Sequence, residues 1–303
     1  ILQAVRASAR GAGRKFSAGS EVSARLPLPD ILAARAERTD ARKEYETIRE
    51  AFRRLISGWE NDAERKDIIG DIITLRCSFL IDRALKGLRI DLEQALNILR
   101  NHNDFTTEHE RRQRDVLLAA IDNLVDFAAA EEFALLEELP EQPQVEKITE
   151  YEALCERYNL VYASRENDQV LFAASIAAWW LTVDAGTIVT FMTQGDERVR
   201  AWHLSLEGLS FRKSEFPPEL IPPIEWGCRC FLVADGFASV YGSLPAADAY
   251  RRNVDPVFRE SLATGGRIFS PAHAYFSRPL PEYVQQIVKR IKEKFSYAED
   301  NAR

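Results

Sequence analysis

Asp184-Ala-Gly-Thr-Ile-Val-Thr-Phe-Met-Thr193 is where the chain changes texture. Asp184-Ala-Gly186 ends a helical pattern, and the β-branched residues of Thr187–Thr193 suit a short strand. Immediately upstream lies the longest apolar run, Val170–Val183, interrupted by Ser175 and Thr182. It falls short of the roughly 18 uncharged apolar residues that would suggest a membrane span, so it reads as a buried helix. No membrane partner is expected.

Farther upstream every segment reads as helix. Asp30 is placed to cap a helix over about Ile31–Trp59, in which Tyr45, Ile48, Phe52, Leu55 and Ile56 recur at helical spacing. Ile68, Ile69, Ile72, Ile73 and Leu75 mark the apolar face of a second helix, about Ala63–Leu85. Asp91 with Gln94, and Thr107 with Glu110, have capping-box spacing and should each open a helix. Leu139-Pro-Glu-Gln-Pro-Gln144 breaks the pattern and reads as a linker. Beyond it, one helix over about Ile148–Asn159 and another over about Val161–Trp180 are expected.

Downstream of the strand, Cys230–Ala234 forms a second β-prone piece. Between the two β-prone pieces, Pro217-Pro218, Pro222-Pro223 and Gly227 mark irregular chain. Val284, Ile287, Val288, Ile291 and Phe295 define one face of a closing amphipathic helix, with Lys289, Arg290, Lys292 and Lys294 mostly turned away. The expected fold is therefore α-rich α+β: a helical N-terminal half and a small mixed α/β C-terminal domain. The division is a flexible basic arm over 1–26, a helical domain over 27–140 and a second domain over 148–303.

With 29% charged and 46% hydrophobic residues, the 303-residue composition is that of an ordinary globular protein. A net charge of −7 argues against a surface that grips nucleic acid throughout. The exception is the start, where Arg6, Arg10, Arg14, Lys15 and Arg25 face a single acid, Glu21. A transit peptide looks similar, but a flexible arm able to contact nucleic acid is preferred. The sequence opens at Ile1 and its single methionine is Met192, so processing or a missing leader is expected. Cys77, Cys155, Cys228 and Cys230 do not have the spacing of a disulfide framework.

The most distinctive residues are Gly195-Asp-Glu-Arg-Val-Arg-Ala-Trp-His203, Leu206-Glu-Gly208 and Pro222-Pro-Ile-Glu-Trp-Gly-Cys-Arg-Cys230. His203, Cys228 and Cys230 are competent zinc ligands, and Asp196 or Glu225 could supply a fourth. Alternatively, the two cysteines are small buried residues alternating on an incipient strand. Asp196, Arg198 and Arg200 can pair to fix the turn before His203, or form a solvated charged turn. Gly195 and Gly208 suit backbone conformations closed to other residues. Pro222-Pro223 should hold the chain extended, while Trp202 and Trp226 read as packing anchors. His102 and His109 read as exposed and His273 as packed or capping, with Cys77 and Cys155 as buried hydrophobes.

Taken together, Asp196-x-Arg198-x-Arg200-x-x-His203, Leu206-Glu-Gly208, Pro222-Pro223 and Gly227-Cys228-Arg-Cys230 resemble the core motif of the Mu F-like phage head-morphogenesis family. Tyr158–Ser164 upstream, and Asn253-Val254, Gly265-Gly266, Ile268-Phe269 and Pro271–Phe276 downstream, are similar to its flanking segments. The resemblance covers about Cys155–Phe276. It departs where many relatives carry Cys-x-x-Cys and this chain has Arg200 and His203, and where they carry His and this chain has Glu225.

The resemblance implies a bacteriophage minor capsid protein near the portal vertex, acting in head assembly or DNA delivery. Its partners would be the portal or major capsid protein. Its location would be the virion, with the host cytoplasm during assembly, and the basic arm could reach packaged DNA. The competing reading is a metal-dependent hydrolase or toxin-type transferase using His203 with Cys228 and Cys230. A further possibility is a host protein in which the motif is a remnant of an integrated phage. No phosphate-binding loop, dinucleotide fingerprint, His-Glu-x-x-His or Gly-x-Ser-x-Gly motif supports an enzyme.

Overall fold

The computed structural model describes residues 31–100, 106–234, 240–241 and 250–300, with side chains described over 40–100, 106–234 and 250–295. Arg6, Arg10, Arg14, Lys15, Asp30 and His102 lie outside the described residues.

The helices follow the apolar spacing. α1 (Ile31–Ser57) buries Tyr45, Ile48, Phe52, Leu55 and Ile56. α2 (Asp62–Leu88) begins where the Asn61 side chain accepts the Glu64 N–H and ends with Arg89 in a left-handed conformation. It is the central helix, burying residues on more than one face, Arg76 and Arg83 among them. α3 (Leu92–Arg100) opens on reciprocal Asp91–Gln94 hydrogen bonds of 2.8 and 2.9 Å. α4 (Glu108–Glu137) opens on the Thr107–Glu110 capping box. Each box satisfies two otherwise orphaned N–H groups, which sets where the helix starts.

The expected linker does not separate two cores. Leu139 is buried, the Trp59 indole donates to Glu141 O at 2.9 Å, and the Gln144 N–H meets the Tyr151 hydroxyl. One hydrophobic cluster runs from Tyr45 to Phe295. The expected break near Asn159 is also absent. α5 (Ile148–Glu156) passes through a π-helical turn, Arg157–Tyr162, straight into α6 (Ala163–Thr182). α6 lies against α2 so closely that a Cβ built on Gly87 would stand 2.5 Å from Ala174 Cβ.

A small sheet follows α6. β1 (Ile188–Met192) pairs antiparallel with β2 (Leu209–Arg212), with Val189 opposite Phe211. It also pairs antiparallel with β3 (Phe231–Val233), with Phe191 opposite Leu232. α7 (Ala201–Leu204) is a single turn between β1 and β2, and β4 (Val240–Tyr241) adds parallel to β2. The sheet order is β3-β1-β2-β4. β2 corrects the irregular reading of the chain between Thr193 and Cys230: the strand is only four residues long, and short 3-10 turns follow it.

The closing helix α8 (Glu282–Asp300) buries Val284, Ile287, Ile291 and Phe295, as its spacing predicts. Lys292 reaches Asp126 on α4 at 2.9 Å. The fold is α-rich α+β. Among the described residues, no helix is long and apolar enough to cross a membrane.

Candidate metal centre

Two hairpin-like excursions from the sheet deliver the motif to one place. After β1 the chain turns at Gly195, whose φ of +66° is open to glycine at little cost. α7 then presents His203 inward, leaving it 2% exposed. The return passes Gly208 at φ +81°, whose N–H donates to Phe191 O at 2.9 Å and registers β2 against β1. Between β2 and β3 the Pro222–Pro223 peptide is cis, where an extended run was expected. The Cys228 N–H donates to Glu225 O at 3.1 Å, closing a turn with Gly227 at φ +70°. Cys230 comes just before β3.

Ligand atoms of His203, Cys228 and Cys230 all lie within 4.8 Å of one another, and all three residues are buried. Cys230 Sγ is 3.2 Å from His203 Nδ1. On the other edge of the ring, His203 Nε2 is 2.7 Å from Glu225 Oε1, which also lies 2.8 Å from Arg200 Nε. Arg200 further donates to Trp226 O at 2.8 Å. Trp202 meets the imidazole edge to face, with centroids 4.2 Å apart.

Burial alone would push the Cys228 thiol up. Hydrogen bonds from Cys230 and His203 and the backbone at Ile224 outweigh it and hold the thiol well below its ordinary range. Cys230 is driven the opposite way, first by its hydrogen bond to Cys228 and then by burial. Two sulfurs and an imidazole nitrogen suit a zinc-type ion, whose binding would displace the thiol protons.

Neither acid expected as a fourth ligand takes that place. Asp196 is turned outward, held by Arg229 at 2.6 and 2.8 Å and by the Arg198 N–H at 3.1 Å. The hydrogen bonds from Arg229, helped by the Arg198 N–H, keep its carboxyl below the usual range. Glu225 instead backs His203, the position from which a carboxylate orients a metal-binding imidazole. The expected Asp196–Arg198–Arg200 grouping is likewise divided, with Asp196 on Arg229 and Arg200 on Glu225.

The downstream motif pieces pack beneath the centre. The Trp226 ring stacks on Phe269 with centroids 5.7 Å apart and meets Phe258 and His273 edge-on. The Asp255 N–H donates to Ile224 O at 3.1 Å. His273 caps the turn at Tyr275, and burial lowers its pKa to about 4, so it is neutral near pH 7. Cys77 and Cys155 are buried, with burial pushing the Cys77 thiol up to about 12, and His109 is exposed.

Asn123 was not singled out by its sequence position, yet it joins α4 to this region. Its Oδ1 accepts the Ile268 and Phe269 N–H groups at 2.9 Å each, and its Nδ2 donates to Phe269 O at 2.9 Å. The signal was a lone amide on the apolar face formed by Ile121, Leu124 and Val125.

No family model matches the chain, and no solved structure matches it. Over 42 residues, 14% of its length, it is 52% identical to the uncharacterized protein MJ0329 of Methanocaldococcus jannaschii, a match that spans 7% of that relative.

Proposed function

We propose that this chain is a structural protein of a phage head: a minor capsid component near the portal vertex, acting in head assembly or DNA delivery. One observation carries the reading. The motif pieces that resemble the head-morphogenesis family, separate in sequence, meet in one buried unit through Trp226, Phe258, Phe269 and His273. A motif that builds a core suits a scaffold that presents other surfaces to the portal or capsid. The basic N-terminal arm would add contacts to packaged DNA.

In this reading the Cys–His cluster holds a structural ion. Exposures of 2% for His203, 4% for Cys228 and 2% for Cys230 favour a structural ion over one reached by a substrate. A hydrolase or transferase would need the coordination position left by three protein donors to be accessible to its substrate. The test is mass spectrometry of density-purified particles from the source organism. Peptides of this chain at a low, fixed ratio to the major capsid protein are expected. Their absence from particles, with the protein abundant in the lysate, would overturn the proposal.

A further inference from the structure

Away from the motif, the described core contains more acid than it can neutralise. Arg76 on α2 is 1% exposed and faces Glu131, Glu132 and Glu166, which are 0%, 2% and 3% exposed. Its guanidinium donates to Glu131 at 2.6 Å, to Glu166 at 2.7 Å and to Asn167 Oδ1 at 2.8 Å. Glu132 receives only the Asn159 amide, at 3.3 Å. Glu131 and Glu166 share that one guanidinium, which holds the two carboxyls close together. If both are ionised, neither has a hydrogen to donate to the other.

The surroundings supply little more charge. From α1 comes Glu44, held by Arg83 of α2 at 2.8 Å and by the Asn167 amide at 3.4 Å. α5 and the π-helical turn contribute Cys155, Tyr158 and Asn159, with Tyr158 donating to Glu138 at 2.6 Å. α6 adds Gln169, and the C-terminal segment adds neutral His273 and Tyr275, whose hydroxyl donates to Glu166 at 3.2 Å. Four buried oxygens have no hydrogen-bond donor: Glu131 Oε1, Glu132 Oε1, Asn159 Oδ1 and Gln169 Oε1. A surplus of buried acceptors calls for additional hydrogens.

We propose that the Arg76–Glu131–Glu132–Glu166 network is a buried proton-binding site that holds at least one proton at neutral pH and strengthens the joint between α2, α4, α6 and the Tyr275 segment. The proton supplies the missing donor between Glu131 and Glu166 or at Glu132, and it reduces the local charge excess. Burial, reinforced by the charge of Glu131, raises Glu132 to about 8 and Glu166 well above the carboxylate range. A raised carboxyl binds its proton in the folded chain but not in the unfolded one. This part of the stability is therefore complete below the unfolded value of 4.5 and falls as pH rises through about 8.

The test is infrared spectroscopy of the full chain near pH 7, where carboxyls in contact with water are ionised. A protonated-carboxyl stretch that vanishes on unfolding in denaturant is expected. No such band in the folded wild type would overturn the proposal, since ordered water would then be satisfying ionised acids. A folded Glu132→Gln/Glu166→Gln variant is expected to lose the band. Between about pH 5 and about pH 9 its melting temperature should also fall less than the wild type's. A band of unchanged size in that variant would equally sink the assignment.

Discussion

Glu225 Oε1 lies 2.7 Å from His203 Nε2. That leaves Nδ1 facing Cys230 and assigns the two ring nitrogens different tasks. With a metal on Nδ1, the carboxylate close to Nε2 would favour the tautomer that carries its proton there and orient the ring. Glu225→Gln is expected to bind zinc about 10- to 100-fold more weakly, with the fold retained. Competition against a calibrated chelator measures it. Unchanged affinity would mean that Glu225 only pairs with Arg200.

The ligands themselves should show an effect of another kind. Purified wild type is expected to bind about one zinc, and His203→Ala or Cys230→Ser about none, because losing one of three protein donors opens the site. Free zinc at 100 times its dissociation constant should stabilise the wild type by about 2.7 kcal/mol and leave the variants unmoved. Calorimetric melting with zinc and with chelator checks both. Identical wild-type curves would remove the metal from the account.

Gly87 tests whether the two halves of the chain share one core. In an exposed helix, glycine to alanine usually stabilises. Here the added methyl would meet Ala174 Cβ at 2.5 Å and Leu171 O at 2.6 Å. Gly87→Ala should therefore destabilise by about 1–3 kcal/mol, as overpacking does. Gly186→Ala, with nothing within 4 Å, serves as the neutral control. Equal denaturant midpoints for the two variants would contradict this packing of α2 on α6.

Much of the helical frame was legible because apolar spacing and capping residues are local signals. Ile68, Ile69, Ile72 and Ile73 mark a buried face regardless of what covers it, and Thr107 with Glu110 marks a helix start. Arg76 and Asn123 were not legible. Each reads as a polar residue until its distant partners, Glu131 and Glu166 or Ile268 and Phe269, are brought beside it. β2 was missed because four residues carry too little alternation to mark a strand. The site was partly legible: spacing brought His203, Cys228 and Cys230 to notice. The side on which Asp196 lies depends on Arg229, and no local pattern reports that.

Asn123 gives a prediction for the long-range tie. Three hydrogen bonds join its amide to the backbone at 268–269, all in the interior. Asn123→Ala should cost about 2–4 kcal/mol, since two buried N–H groups and a carbonyl lose a partner. Asn123→Asp keeps an acceptor but buries a charge and loses the donor, so it should be no milder near pH 7. Chemical denaturation measures both. A loss within that of an ordinary surface substitution would show that the 268–269 backbone finds its partners elsewhere.

Asp196 separates a metal ligand from a residue that merely resembles one by position. Its carboxylate is held by both Arg229 Nη atoms and is exposed to solvent. Recruiting it as a ligand would require breaking that pair and turning the side chain inward. Asp196→Asn is therefore expected to leave zinc stoichiometry and affinity as in the wild type, in contrast to His203→Ala. Arg229→Gln should behave the same way, because the guanidinium holds Asp196 rather than the sulfurs. Zinc titration of the three variants side by side decides the matter. If Asp196→Asn lost zinc while Arg229→Gln kept it, the carboxylate would be the fourth ligand, and its pairing with Arg229 would be a state the metal displaces.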